Sequence, residues 1–316
     1  IARVSENSLI TAGSGLFLTK DSGGIGLENQ PLHLNVDSLE SVSGSGGVFF
    51  DVENVNIGGV SEEVNGISTI AGGDIVLRSE GDVRVTENMF TDLSDGELGG
   101  DINITANNLV VTNGSQISVS TFGNGDAGTV DIAVEDTVIF DGVSSDGFAS
   151  GAISRVGEGA VGNAGGVTIT TDSLEVTKGA QISVINLGKG NVGGIDIQAK
   201  NVILNGLSSD GIASGAFSIV GARTEGNAEG VNITSSSIKV INGAQIFSNT
   251  QGKGTAGNIS IQTDSPPIIS ENSKISAFTE SAADRGNIII TFPEIDNPTP
   301  ATPPISSQEP SVINGS

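Results

Sequence analysis

At 316 residues and a net charge of −24, the chain has 46 Gly, 11 Phe, one Met, one His and no Cys, Trp or Tyr. The missing cysteines exclude disulfides, thiolate chemistry and Cys-based metal sites, and the single His33 excludes a multi-His zinc centre. The acidity argues against nucleic acid and anionic lipid, both of which need a basic patch, and the small aromatic area predicts a thin aliphatic core repeated many times.

Residues 1–71 are the least regular part. LFLTK (16–20), LHLNV (32–36), GVFFDV (47–52) and VNIGG (55–59) read as short strands broken by Gly, Ser and Asn, either irregular coils that continue the repeat or a cap on it. His33 alternates with Leu32 and Leu34, so it points outward from a strand and is structural. A regular array follows over 72–291, beginning with GGDIVLRSEGDVRVTEN (72–88). From 292 a segment rich in proline carries no apolar period and reads as a linker or disordered tail. No stretch approaches a membrane span. Ile1 is not a start methionine, so the sequence reads as a piece of a larger protein.

Within the array the text of 99–164 recurs at 164–228, and a third copy begins at Glu229 and then degrades. Gln116, Gln181 and Gln245 mark the same place, 65 and then 64 residues apart. Each copy splits into a short half and a long half, and each half carries three apolar segments separated by bends. Three strands and three bends make one coil of a right-handed parallel β-helix, all-β, about nine coils in all. At about 4.8 Å per coil the rod is on the order of 45 Å long.

Seven pairs should point inward and stack: Ile102/Ile104, Val130/Ile132, Val167/Ile169, Ile195/Ile197, Val231/Ile233, Ile259/Ile261 and Ile288/Ile290. Between them lies an outward stripe of Asn103, Asp131, Thr168, Asp196, Asn232, Ser260 and Ile289. Asn113, Lys178, Asn205 and Asn242, each followed by Gly, mark tight turns. Pro266 and Pro267 interrupt a strand of the third copy.

Candidate chemistry is sparse. Asp131 and Asp196, two coils apart at roughly 9–10 Å, have the wide spacing of an inverting glycosidase; solvated side chains on an exposed sheet are the simpler reading. Asp146 and Asp210 sit in the SSDG text. A Gly-flanked acidic turn offers oxygen ligands to calcium, but Asp-Gly is first of all a turn dipeptide, and the nonapeptide of calcium-binding β-rolls is missing. Phe148 and Ile212 follow those turns. They either stand as exposed tips on a ridge, suited to partner binding, or fold back over a neighbouring strand end, which is the preferred reading. The glycine runs GNGDAG (123–128) and GKGNVGG (188–194) lack the ending and following helix of a phosphate loop.

The motifs GG-x-I-x-I-x-x-x-x-L-x-V-x-x-G-A-Q-I-S and S-S-D-G-x-A-S-G-A-x-S resemble the repeat region of filamentous-haemagglutinin-like large exoproteins, most of all the cyanobacterial members. The resemblance is close over 72–290 and looser over 1–71, where the family's N-terminal secretion domain is not found. It implies two-partner secretion through a dedicated outer-membrane pore, and a location outside the cell or on its outer surface. It also implies a non-catalytic rod that presents loops to a host-cell, surface or matrix ligand; the residues themselves point to no cofactor, and the recurring SSDG text makes Asp146, Phe148, Asp210 and Ile212 the candidate ligand or partner positions on the loop ridge. A β-helical carbohydrate-active enzyme, lyase or hydrolase, is the alternative from another class. A calcium-stabilised scaffold is a third.

Overall fold

The structure is a computed structural model, and it describes residues 8–93, 99–222, 224–270, 272–280 and 285–293. Among these the chain is all-β, with no helix. The first strands are β1 (Leu9–Leu18), β2 (Leu32–Ser43), β3 (Val48–Val52), β4 (Val55–Ile57), β5 (Ile67–Ile70), β6 (Ile75–Ser79), β7 (Asp82–Val85) and β8 (Met89–Leu93). A strict long–short alternation follows: β9 (Ile102–Thr112), β10 (Gln116–Thr121), β11 (Val130–Asp141), β12 (Gly151–Val156), β13 (Val167–Thr177), β14 (Gln181–Asn186), β15 (Ile195–Asn205), β16 (Gly215–Val220), β17 (Gly230–Ile241) and β18 (Gln245–Thr250). The last strands are β19 (Asn258–Thr263), β20 (Ile268–Ile269), β21 (Lys274–Thr279) and β22 (Ile288–Thr291).

From β9 to β17 each strand of the alternating region pairs in parallel with the strand two further on, and β18 pairs with β21. β9, β11, β13, β15, β17, β19 and β22 form one ladder. β8, β10, β12, β14, β16, β18 and β21 form a second. Toward the N-terminus the long ladder continues through β6 and β7, then β3 and β4, then β2 and β1. Because β2 pairs with both β3 and β4, and β9 with both β6 and β7, the hydrogen bonding there closes a ring of β2, β3, β6, β9, β7 and β4.

The expected inward columns are present. The register runs Ile102, Val130, Val167, Ile195, Val231 and Ile259, each buried, with Ile104, Ile132, Ile169, Ile197, Ile233 and Ile261 buried beside them. β-branched side chains dominate because they pack well on a pleated surface. The seventh pair departs: Ile288 is 45% exposed and Ile290 only partly buried, because β22 has a described ladder neighbour on one side alone. The outward stripe keeps its predicted register through Asn103, Asp131, Thr168, Asp196, Asn232 and Ser260 to Ile289.

The expected three strands per repeat half are two. The I-x-I and L-x-V segments merge into one long strand, as in β9, where Asn107 and Asn108 are both half-exposed between buried Ala106 and Leu109. The strand turns a corner there by slipping its inward–outward alternation by one residue, while its backbone stays bonded to the rungs on either side. The linking text (Asn-Asn, Asp-Ser, Lys-Asn) holds no Gly or Pro, so nothing breaks the strand. In β11 an extra residue near Glu135 is absorbed as a register shift. Pro266 and Pro267 do interrupt: the long strand is there split into β19 and β20. The long ladder has eleven members against about nine expected, since β1, β2 and the β3/β4 pair already supply three before residue 58.

Polar side chains also form ladders. Asp126 Oδ1 accepts from the Asn163 N–H (2.7 Å), Asn163 Oδ1 from Asn191 N–H (2.8 Å), Asn191 Oδ1 from Asn227 N–H (2.9 Å) and Asn227 Oδ1 from Thr255 N–H (2.9 Å). Each side chain thereby satisfies a backbone donor that the turn leaves without a strand partner. A second series links Asp74, Asp101 and Thr129 in the same way. Burial lifts the Asp74 carboxyl above its usual range, opposed by the Asp101 N–H and reinforced by the Asp101 charge.

Candidate binding groove

The second ladder presents an outward face built from three columns. Gln116, Gly151, Gln181, Gly215 and Gln245 form the first, beside the loops; Phe90, Ser118, Ile153, Ser183 and Phe217 the second; Asp92, Ser120, Arg155, Ile185 and Ile219 the third. Along β12 the alternation therefore places Ile153 and Arg155 on one face and buries Ala152, Ser154 and Val156 on the other.

The SSDG loops stand along one edge of this face. Each is a narrow arch closed by an antiparallel bridge, Val143 with Ala149 and Leu207 with Ala213. The Ser144 N–H donates to the Phe148 carbonyl (2.8 Å), and the Ser208 N–H to the Ile212 carbonyl (2.8 Å). Ser150 and Ser214, both buried, tie the arches to the body. Ser150 Oγ accepts from the Gly114 N–H (2.8 Å) and donates to the Asp141 carbonyl (2.8 Å); Ser214 does the same with Gly179 and Asn205 (2.8 and 3.0 Å). A hydroxyl suits this place because it donates and accepts at once. The marker glutamines fasten the arches from the other side, Gln116 Nε2 to the Ala149 carbonyl and Gln181 Nε2 to the Ala213 carbonyl, each at 3.3 Å. Gly114, at φ 77°, must lack a side chain: a Cβ there would lie 2.4 Å from the Ser144 nitrogen in the arch above it.

The four loop positions singled out in the sequence lie as follows. Asp146 and Asp210 are exposed at the turn tips. Phe148 is 59% exposed, so it does not fold back over a strand end. Ile212 is half-buried, with its Cδ1 3.9 Å from where a Cβ on Gly147 would stand. The second arch thus leans on the first, whereas the corner before Phe148 carries only the tight Asn113–Gly114 turn and no arch. Phe148 and Ile212 both line a groove of about 840 Å³ across the face; Asp146 lines a separate hollow with Asn113 and Glu87.

The far wall of the groove is Phe122 and Leu187, and its floor includes Ile153, Ile185, Asp92 and Arg155. Phe122 is 53% exposed and lies under the Arg155 guanidinium, 6.0 Å from ring centroid to Cζ. Arg155 Nε is enclosed and has no hydrogen-bond partner among the described residues. Burial lifts the Asp92 carboxyl above its usual value. Arg155, Phe122, Asp92 and the serine ties were not singled out in the sequence. A signal did exist: S-G-A-x-S-R continues the loop motif with an Arg where the second copy has Ile219.

Asp131 and Asp196 do stand two ladder steps apart with Thr168 between. Asp131 accepts from the Thr129 hydroxyl (3.2 Å) and Asp196 from Asn232 Nδ2 (3.1 Å). His33 is outward, as expected, and its Nε2 lies 2.9 Å from Asp51, with Arg78 on the other side of that carboxylate at 3.8 Å. No group of three or more His, Asp or Glu among the described residues could hold a metal ion. Comparison with protein-family models, curated proteins and solved structures found no match to this chain.

Proposed function

We propose that this chain is a right-handed parallel β-helical rod from a secreted or cell-surface exoprotein, and that it acts in adhesion by presenting loops rather than by catalysis. The observation that carries the reading is the repetition of one loop pose. Two arches that share the SSDG-x-AS text are fastened by the same serine and glutamine bonds, two ladder steps apart, beside one groove. The parallel ladders and stacked aliphatic columns support the solenoid, and the parallel-crossover preference supports its hand. The repeat spelling supports export through an outer-membrane pore and a location on or outside the cell. The carbohydrate-active alternative needs two carboxylates flanking a bond; the groove offers Asp92 alone among its described lining residues.

The test is adhesion of beads coated with this chain to cell surfaces and matrix. Replacing both arches by the tight turn found at residues 178–180 should leave the circular dichroism spectrum nearly unchanged, lower the urea midpoint by no more than the loss of the two serine ties, and abolish bead retention. Retention that survives with both arches gone removes the adhesive role from the ridge. Small-angle scattering from a compact sphere instead of a rod removes the solenoid.

A further inference from the structure

We propose that the groove binds an extended peptide segment bearing bulky apolar side chains and one carboxylate, with the carboxylate on Arg155. This names the ligand class for the face that the adhesive reading assigns, and it rests on that reading for its biological meaning but not for its test.

Arg155 is the one described Lys or Arg whose side chain holds an enclosed nitrogen without an acceptor among the described residues. Arg78, Lys178, Lys200 and Lys253 each lie within 4.0 Å of a carboxylate on an adjoining rung. Arg155 makes no such pair among the described residues. Its rung neighbours are Ser120 and Ile185, and its enclosed Nε meets no acceptor. In a chain of net charge −24, a guanidinium held in a groove with no paired carboxylate among the described residues offers a place for one carboxylate from outside. A guanidinium is also the cation best shaped for carboxylate recognition.

The walls select what carries that carboxylate. Phe148 and Ile212 on one edge face Phe122 and Leu187 on the other, and the floor adds Ile153 and Ile185. Between them, Gln116 and Gln181 use their amide nitrogens on the arches and leave their amide oxygens to accept. They stand two strand spacings apart, roughly 10 Å, the advance of three residues of extended peptide. Successive N–H groups of an extended strand point to opposite sides, so a strand laid along the ladder axis gives an N–H to one of the two glutamines at a time. Asp92, two steps from Arg155 in the same column, adds a further acceptor at one end of the groove.

The same observations disfavour other occupants. A polyuronate brings a charge on every residue to a surface of net charge −24 and finds one guanidinium. A neutral glycan leaves Arg155 without an anion and meets aliphatic and phenyl walls, with no Trp or Tyr in the chain. A second copy of this chain repels the first for want of opposite charge.

Fluorescein-labelled, end-blocked Ile-Phe-Glu-Phe-Ile-Ser is the probe, with matched peptides carrying Gln or Lys in place of Glu. Anisotropy titrations with the full chain should show the Glu peptide binding about tenfold tighter than the Gln peptide, the size of one charge-assisted hydrogen bond, and the Lys peptide weakest. Added salt should narrow the gap. Arg155→Gln should erase the preference for Glu, and Arg155→Glu should invert it toward Lys, with urea midpoints showing that both variants fold. Equal binding of all three peptides, or no binding up to millimolar probe, overturns the proposal. So does an oligogalacturonate that binds through Arg155 when the peptides do not. If beads adhere and the arches matter but the peptides fail, the ligand class falls and the adhesive reading stands; if the peptides bind and the beads do not adhere, the reverse holds.

Discussion

The corner where a long strand hands over to the second ladder is occupied by a loop in two parts of the molecule, and the two are fastened by different chemistry. Near the N-terminus, residues 58–66 leave β4 and enter β5 under the control of carboxylates. Fully buried Glu40 accepts from the Val60 and Ser61 N–H groups (2.7 and 3.0 Å), and Glu87 accepts from the Gly59 and Gly66 N–H groups (3.0 and 2.9 Å). In the repeat, residues 143–150 and 207–214 turn the same corner on neutral serine hydroxyls and glutamine amides. A carboxylate has several acceptor sites and no donor, so one side chain gathers scattered N–H groups of an irregular loop. A hydroxyl donates and accepts, so it bridges two backbones in fixed register, and that device can be copied from rung to rung. The irregular loop depends on two unique residues, the repeated arch on a motif.

The largest effect should come from below both corners. Phe140→Ala in the repeat and Phe50→Ala toward the N-terminus each remove a fully buried ring and should cost about 3–5 kcal/mol. Urea unfolding followed by fluorescence labels in each part tells whether they melt together. One shared transition shifted by either variant makes the regions one cooperative unit; a transition that moves only on its own side makes them separable, as in repeat arrays.

Glu40→Ala should come next, at about 2 kcal/mol, because it orphans two N–H groups in a buried place. Hydrogen exchange should quicken at 59–66 and stay unchanged at 143–150. Ser150→Ala and Ser214→Ala should each cost about 1 kcal/mol, with exchange quickened in the arch concerned alone; a loss spread over both arches would mean that they are one unit. Asp92→Asn should act the other way. A carboxyl whose folded pKa is raised binds its proton more tightly folded than unfolded, so its ionisation lowers stability as pH rises from the unfolded value through the folded one. The variant should therefore be more stable than the parent at neutral pH, with the gain vanishing below the ordinary carboxylate range. Lys200→Ser, which breaks an exposed pair with Asp172 at 2.6 Å, should change stability by no more than about 0.5 kcal/mol.

How much of this was legible in the sequence varies by residue. The pairs from Ile102/Ile104 to Ile259/Ile261 were, because a period of two and a recurring text say which side chains point inward and that they stack. The merger of two predicted strands into one was not, because a corner turned by slipping one residue leaves no Gly or Pro to mark it. Gln116 and Gln181 were visible as markers, yet their bonds to Ala149 and Ala213 cross more than thirty residues of chain. Ser150 and Ser214 were hidden for the same reason. Phe148 was read as folding back, and its exposure follows from the absence of an arch before it. Arg155 was passed over because one substitution in a repeat carries no pattern.

The sequence by itself determined the alternation, the period and the polarity of each column, since these depend only on neighbours along the chain and on the spacing of copies. Which backbone donors a side chain would satisfy, how the arches lean, and the gathering of Phe122, Phe148 and Arg155 around one groove were decided by the tertiary structure. Those relations depend on which rungs lie side by side, and hydrogen bonds and contacts act across the ladder, not along the strand.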